Sequence, residues 1–119
     1  MPDQNATTRS VLPHHKLLAY QAAVELLVAV KAANIRDATL RDQALRAAKS
    51  ACLNIAEGAG RVTRADKARV FTIGRAEACE AAAAVEIAVL SGDANPSDLE
   101  RVASIANRLI AMLTRLIRR

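Results

Sequence analysis

A chain of 119 residues corresponds to one domain and is long enough to bury a real core. Just over half of it is hydrophobic, much of that alanine, with one Phe, one Tyr, no Trp, four Gly and three Pro. This disfavours a sheet, which draws on β-branched and aromatic residues, and fits a few long helices packed through small side chains. The formal net charge is +5. No signal-type apolar run opens the chain and no segment approaches roughly eighteen uncharged apolar residues, so a soluble, cytoplasmic protein without a membrane span is expected.

Residues 1–13 are polar, unpatterned and end at Pro13, which reads as a flexible N-terminal tail. Residues 14–119 read as the folded domain. Helix 1 is expected from about residue 15 to residue 33, with Leu17, Tyr20, Val24, Leu27 and Val28 recurring at helical spacing. Asn34 is its expected C-cap.

Helix 2 is expected from about residue 38 to residue 57. At 100° per residue, Leu40, Ala44, Ala48, Ala51, Cys52 and Ile55 share an apolar arc. Leu53 falls within the opposite, polar arc, either as an ordinary exposed leucine or as a contact with another subunit. Gly58 suits the left-handed position just past a helix C-terminus, and Gly60 frees the next bend. Thr63 offers an N-cap, with Asp66 placed to reach back in a capping-box-like arrangement.

Helix 3 is expected from about residue 64 to residue 90. Phe71, Ala78 and Val85 are seven apart, as are Gly74, Ala81 and Ala88, a seam that lets a neighbouring helix approach closely. Ile73, Ile87 and Leu90 lie off that seam and hint at a second interface. Asn95-Pro96 then starts helix 4, with Asn at the N-cap, Pro at N1 and Asp98 near the positive helix end. Leu99, Val102, Ala106, Leu109, Leu113 and Leu116 hold a three-four spacing along it. Four helices with short connections make an all-α, antiparallel up-down-up-down four-helix bundle.

Charge is segregated. Residues 36–75 hold nine Lys/Arg and four Asp/Glu, residues 76–98 hold no Lys/Arg and five Asp/Glu, and residues 99–119 hold five Arg and one Glu. In an up-down bundle one end collects Lys16, Arg61, Arg64, Lys67, Arg69, Arg115, Arg118 and Arg119, against Glu57, Asp66 and the terminal carboxylate. His14 and His15 stand at the same end. The other end holds Glu86, Asp93 and Asp98 with Arg36 and Asp37. Arg101, Arg108 and Arg115 repeat every seven residues as a stripe on helix 4. Two readings of these cations stand side by side: a solvated face favoured by the helix dipole, or a surface for nucleic-acid phosphates with strongly salt-dependent binding. With one Tyr and one Phe, base stacking on aromatics is disfavoured, so recognition would follow backbone and shape.

Enzyme chemistry finds little support. Both histidines sit together at the start of helix 1, which rules out the paired Glu-x-x-His of a di-iron bundle. There is no His-Glu-x-x-His, no Cys-x-x-Cys and no phosphate-cradling glycine loop. No catalytic residue, metal site or cofactor is expected. Glu77 and Glu80 read as surface carboxylates. Ser50, Asn54 and Glu57 line one stripe and read as a hydrogen-bonded polar seam at a helix or subunit contact rather than as a catalytic group. Two cysteines make no disulfide framework. In a hairpin turning near residue 60, Cys52 lies roughly 15 Å along the axis from Cys79 at ~1.5 Å per residue, so both are expected as small buried hydrophobes.

The run Ser50-Ala51-Cys52-Leu53-Asn54-Ile55-Ala56-Glu57-Gly58-Ala59-Gly60-Arg61 carries a family resemblance. The chain resembles the small four-helix bundle proteins encoded within intervening sequences of bacterial 23S ribosomal RNA genes, from about Lys16 to Arg118. The matching residues are Ser50, Asn54 to Gly58 (with Glu57 among them), Gly60 and Arg61, preceded by Leu45-Arg46-Ala47-Ala48, with Phe71 and Glu80 in the third helix. The sequence departs from the family at Gly74-Arg75-Ala76-Glu77-Ala78, where Ala-Arg-Gly-Ser usually precedes the Glu, and at Cys52, where Pro is frequent. The family is similar in fold to the accessory variability proteins of diversity-generating retroelements. Those form homopentameric barrels that bind nucleic acid and reverse transcriptase. The resemblance therefore implies a ring-shaped homopentamer.

The expectation is a non-enzymatic homo-oligomer that binds nucleic acid, RNA more than DNA, through Lys16, Arg61, Arg64, Lys67, Arg69, Arg108, Arg115, Arg118 and Arg119. The alternative is a protein–protein scaffold ring that docks a partner enzyme such as a reverse transcriptase.

Overall fold

The computed structural model describes residues 12–119. A 3-10 turn, Pro13–Lys16, leads into four α-helices: α1 Leu18–Ala32, α2 Ala38–Gly60, α3 Arg64–Leu90 and α4 Pro96–Arg118. Among the described residues there is no strand. Of the expected tail, residues 1–11 lie outside the described residues, and Pro13 already belongs to the 3-10 turn.

The three connections, residues 33–37, 61–63 and 91–95, are too short to let the chain cross the bundle. Each pair of consecutive helices packs together, and α4 closes the ring against α1. The first and third connections meet at one end, where the Arg36 N–H donates to the Asp93 carbonyl at 2.9 Å and the Arg36 guanidinium donates to the Gly92 carbonyl. The helices therefore run up, down, up and down. The cluster of Arg36, Asp93 and Asp98 at this end is as the charge pattern predicts.

More than half of the buried apolar residues are alanine, and among the described residues no polar or charged side chain is buried. Such a core works by close approach of helix backbones rather than by large side chains. The α2–α3 contact is the most extensive. Helix α2 buries Ala44, Ala47, Ala48, Ala51, Cys52, Ile55 and Gly58 against its neighbours. Both seven-residue columns of α3 are buried as expected, Phe71, Ala78 and Val85 with Gly74, Ala81 and Ala88. A Cβ at Gly74 would stand 3.2 Å from Ile55 Cγ1 and 3.5 Å from Asn54 Cβ.

Caps define α3 and α4. Thr63 Oγ1 accepts from the Asp66 N–H at 3.1 Å, and Asn95-Pro96 starts α4 with Pro at the first turn, although the Asn95 side chain makes no cap hydrogen bond. Val102, Ala106, Leu109 and Leu113 are buried on α4, with Leu99 and Leu116 packed at the edge.

Several expectations are corrected. Helix 1 does not begin at residue 15: Leu17 is extended (φ −80°, ψ 120°) and separates the 3-10 turn from α1. The helix ends at Ala32 with Ala33 as C-cap, and Asn34 beyond it takes the left-handed conformation (φ 46°). The apolar stripe expected on α1 holds only in part: Leu17, Tyr20 and Leu27 are half-buried and pack at the edge of the core, but the centre of the buried face lies elsewhere. Ala19, Ala22, Ala23, Leu26, Ala29 and Val30 are buried, while Val24 and Val28 are exposed. Ile35, in the first connection, is buried as well.

Helix α2 runs past Glu57 to Gly60. Gly58 is helical rather than left-handed: the only glycine with positive φ is Gly92. Its requirement is space, because a Cβ at 58 would lie 2.6 Å from Phe71 Cε1. Cys52 is buried but Cys79 is exposed, and both thiols are free.

Candidate nucleic-acid interface

The turn between α2 and α3 is built by its own charges. Arg61 leaves the helix in extended conformation and donates its N–H to the Gly58 carbonyl at 3.2 Å. Its guanidinium pairs with Glu57 one turn back and with Asp66 Oδ2 at 3.3 Å. Asp66 does not fold back on the Thr63 cap as a capping box would require. Its carboxylate instead accepts from Arg69 Nη2 at 2.9 Å and Nε at 3.2 Å. The hydrogen bonds from Arg69, with the charge of Arg61 beside them, hold the Asp66 carboxyl below the usual aspartate range.

Lys67 reaches back across the turn. Its Nζ donates to the Ala59 carbonyl at 2.9 Å and to the Gly58 carbonyl at 3.4 Å. Both carbonyls lie at the negative end of α2, where a cation is favoured; among the described residues the Ala59 carbonyl has no backbone donor, while the Gly58 carbonyl also accepts the Arg61 N–H.

The rest of the motif run also has a structural task. Asn54 Nδ2 donates to the Ser50 carbonyl at 2.9 Å and to Ser50 Oγ at 3.1 Å, so these two residues are hydrogen-bonded to each other within α2. Glu57 belongs to the turn instead, through Arg61. Gly58 admits the Phe71 ring. Gly60, the last helical residue, has open space where a Cβ would be.

The predicted cations thus fall into two groups. Arg61, Lys67, Arg69 and Arg108 have intramolecular partners, Arg108 through Glu25 Oε1 at 2.8 Å across α4 and α1. Among the described residues, Lys16, Arg64, Arg115, Arg118 and Arg119 form no ion pair. These five lie at the pole where the start of α1, the α2–α3 turn and the end of α4 meet.

Two adjoining grooves open at that pole. In one, Lys16, Arg115 and Arg119 flank Leu17, Met112 and Leu116. In the other, Lys16, Lys67 and Arg119 flank Leu17, Phe71 and Leu116. The break at Leu17 lies at this place: an extended residue separates the exposed Lys16 from α1, and Leu17 is half-buried and lines both grooves. Beside it, the His14 ring packs edge-to-face on His15 and on Tyr20, with centroids 4.6 and 4.4 Å apart.

Met112 and Arg75 were not among the residues picked from the sequence. Arg75 is half-buried and donates from Nε to Thr114 Oγ1 at 3.0 Å, tying α3 to α4. An arginine on the apolar side of a helix, opposite a threonine at a matching register, is the signal that marks it.

The family model described as 23S rRNA-intervening sequence protein matches residues 15–115. The chain belongs to this family. No curated protein matches it. The matched stretch includes the whole α2–α3 hairpin with its Ser50-to-Arg61 run, and it takes in Lys16 and Arg115 at its two ends. Arg118 and Arg119 lie beyond it. Among the described residues of this 23S rRNA-intervening sequence protein, no helix is long and apolar enough to cross a membrane.

Proposed function

We propose that the protein is a non-enzymatic, cytoplasmic, homo-oligomeric nucleic-acid-binding protein that contacts structured RNA, ribosomal RNA first, through the basic pole. The observation that carries this reading is the set of five cations, Lys16, Arg64, Arg115, Arg118 and Arg119, gathered at one end without intramolecular ion pairs. Unpaired arginines and lysines so grouped repel one another, and a polyanion relieves that repulsion while releasing its own counterions. The family's description, which names a ribosomal RNA context, supports RNA over DNA.

If all five contact phosphates, affinity should fall by about 3.5 to 4.5 decades per decade of salt. The test is a titration of the protein into labelled structured RNA and matching duplex DNA across a salt series, repeated with Arg115, Arg118 and Arg119 replaced by Glu. Loss of binding in the triple variant supports the assignment. Unchanged affinity removes it, and absence of binding at low salt removes the reading as a whole.

Self-association has its own support. Helix α1 is apolar on two sides: one side faces the core, and the other carries the exposed Leu18 (64%), Val24 (37%) and Val28 (53%). These apolar side chains stand among Gln21, Glu25 and Lys31 on the outer face, the mixture expected of a contact surface. Leu53, Ile73, Ile87 and Leu90 add exposed apolar area on α2 and α3. The homopentameric ring implied by the resemblance accounts for this surface. A solution mass equal to one chain at micromolar concentration would refute it.

The same exposed residues favour a second reading, a scaffold ring that docks a partner enzyme such as a polymerase. Recovery of an enzyme after nuclease treatment of the bound material would favour the scaffold. Recovery of nuclease-sensitive partners alone would count against it.

A further inference from the structure

The pole is not a plain cationic surface. Its two grooves, of about 290 and 370 Å³, share Lys16, Leu17, Leu116 and Arg119, and no Asp or Glu side chain lines either of them. Each has an apolar floor with cations on its rim: Met112 extends the floor on one side, and the edge of the nearly buried Phe71 extends it on the other. These volumes are at the small end of ligand clefts. They suit single ligand units and not a cylinder.

A double helix can use only half of such a surface. Its phosphates face outward and can meet the rim, but its bases are stacked inside and cannot reach the floor without being flipped out, at a cost of a few kcal/mol. An unpaired nucleotide offers both halves at once, an anionic phosphate and a flat, weakly hydrated base face separated by one sugar. Burying that face on leucine and methionine is favourable in proportion to the area removed from water, and it requires no aromatic platform.

We infer that the pole takes unpaired nucleotides, at loops, bulges or strand ends of RNA, with a base seated on the Leu17–Leu116 floor and the flanking phosphates on Lys16, Arg115 and Arg119. This rests on the reading of the pole as an RNA-binding surface and specifies which part of the RNA it holds. Single-stranded elements are where RNA exposes base faces to proteins.

The test compares three probes of equal length on the full chain across one salt series: a single-stranded RNA, the blunt duplex formed with its complement, and an abasic strand with the same phosphates. The single strand should bind about tenfold tighter than the abasic strand at each salt concentration, the gain from one buried base face, and tighter than the duplex by a margin that widens with salt, because duplex binding has the steeper salt slope. Leu116→Asn should remove that preference and leave the affinities for duplex and abasic strand unchanged. Met112→Gln, which replaces an unbranched side chain by one of similar length at the edge of one groove, is the companion variant if Leu116→Asn disturbs the helical fold. Equal, salt-sensitive affinity for all three probes overturns the inference and leaves the phosphate-binding pole standing, as does a variant that weakens every probe alike. Absence of salt-sensitive binding to any probe overturns both.

Discussion

The Phe71 ring occupies the space that a side chain at residue 58 would need. A Cβ at Gly58 would lie 2.6 Å from Cε1 and 2.7 Å from Cδ1 of that ring, closer than two carbons approach without displacement. Phe71 is itself 5% exposed and held in the core. Gly58→Ala should therefore destabilise the fold, by up to about 2 kcal/mol, the overpacking cost of about 1–3 kcal/mol less the helix-propensity gain of about 1 kcal/mol from alanine. Urea denaturation checks this. In a Phe71→Leu background the cost should shrink, with a coupling of at least about 0.5 kcal/mol between the two sites.

Gly60, two residues on, should respond in the opposite sense. It is the last residue of α2, without positive φ, and no atom lies within 4 Å of a Cβ built there. Gly60→Ala should raise stability by about 0.4–1 kcal/mol, chiefly by restricting the unfolded chain. The pair of urea midpoints, one down and one up, separates a glycine kept for space from one that is not.

Asp66 sets part of the acid response. Its folded-state carboxyl titrates below the ordinary value of 3.8, first because of the Arg69 hydrogen bonds. A carboxylate with a depressed folded pKa contributes stability above its unfolded pKa and loses that contribution as pH falls through the folded value. Asp66→Asn should thus be less stable than the parent at neutral pH, and the difference should narrow on acidification below about pH 4. Thermal midpoints at several pH values test the convergence. A gap that stays constant would contradict the assignment.

The two groups of cations should separate in binding. Arg108→Gln breaks an exposed ion pair with Glu25 and should change stability by no more than about 1 kcal/mol, with little loss of RNA affinity. Arg115→Gln should reduce RNA affinity and lower the salt slope by about one contact. Filter-binding at two salt concentrations suffices for the comparison.

The thiols should differ in reactivity. Burial pushes the Cys52 thiol up from its ordinary value, whereas Cys79 is exposed on α3. Thiolate is the reactive form. One thiol per chain should react with a disulfide reagent in native buffer, and the second only in denaturant. Protection of Cys79 in the native protein would place it beneath another subunit.

The long helices α3 and α4 were legible because their punctuation is chemical and local. Thr63 and Asn95-Pro96 mark their starts, and Phe71, Ala78 and Val85 repeat at a spacing only one face can satisfy. Helix α1 was legible in existence but not in orientation. Where the core is made of alanine, side-chain size no longer points inward: Val24 and Val28 are outside while Ala22, Ala23 and Ala29 are inside. At the candidate site, charge pattern and topology located the pole. They could not show that Lys67 serves the α2 carbonyls or that Arg61 is held by Glu57 and Asp66, because those pairings depend on where α2 ends. The extended Leu17, which lines both grooves, has no sequence signal beyond the nearby Pro13.

The packing of Tyr20 against His14 makes the molecule its own optical instrument. Tyr20 is the only tyrosine and there is no tryptophan, so ultraviolet emission excited beyond the phenylalanine band comes from one ring, four residues after Lys16 and just past the extended Leu17. Tyr20 and His14 do not line the grooves, but they adjoin Pro13, Lys16 and Leu17, which do, so a ligand that shifts those residues should alter the surroundings of the Tyr20 ring. Occupancy at this end of the bundle can therefore be followed without attaching a dye, while events at the opposite end leave the signal unchanged.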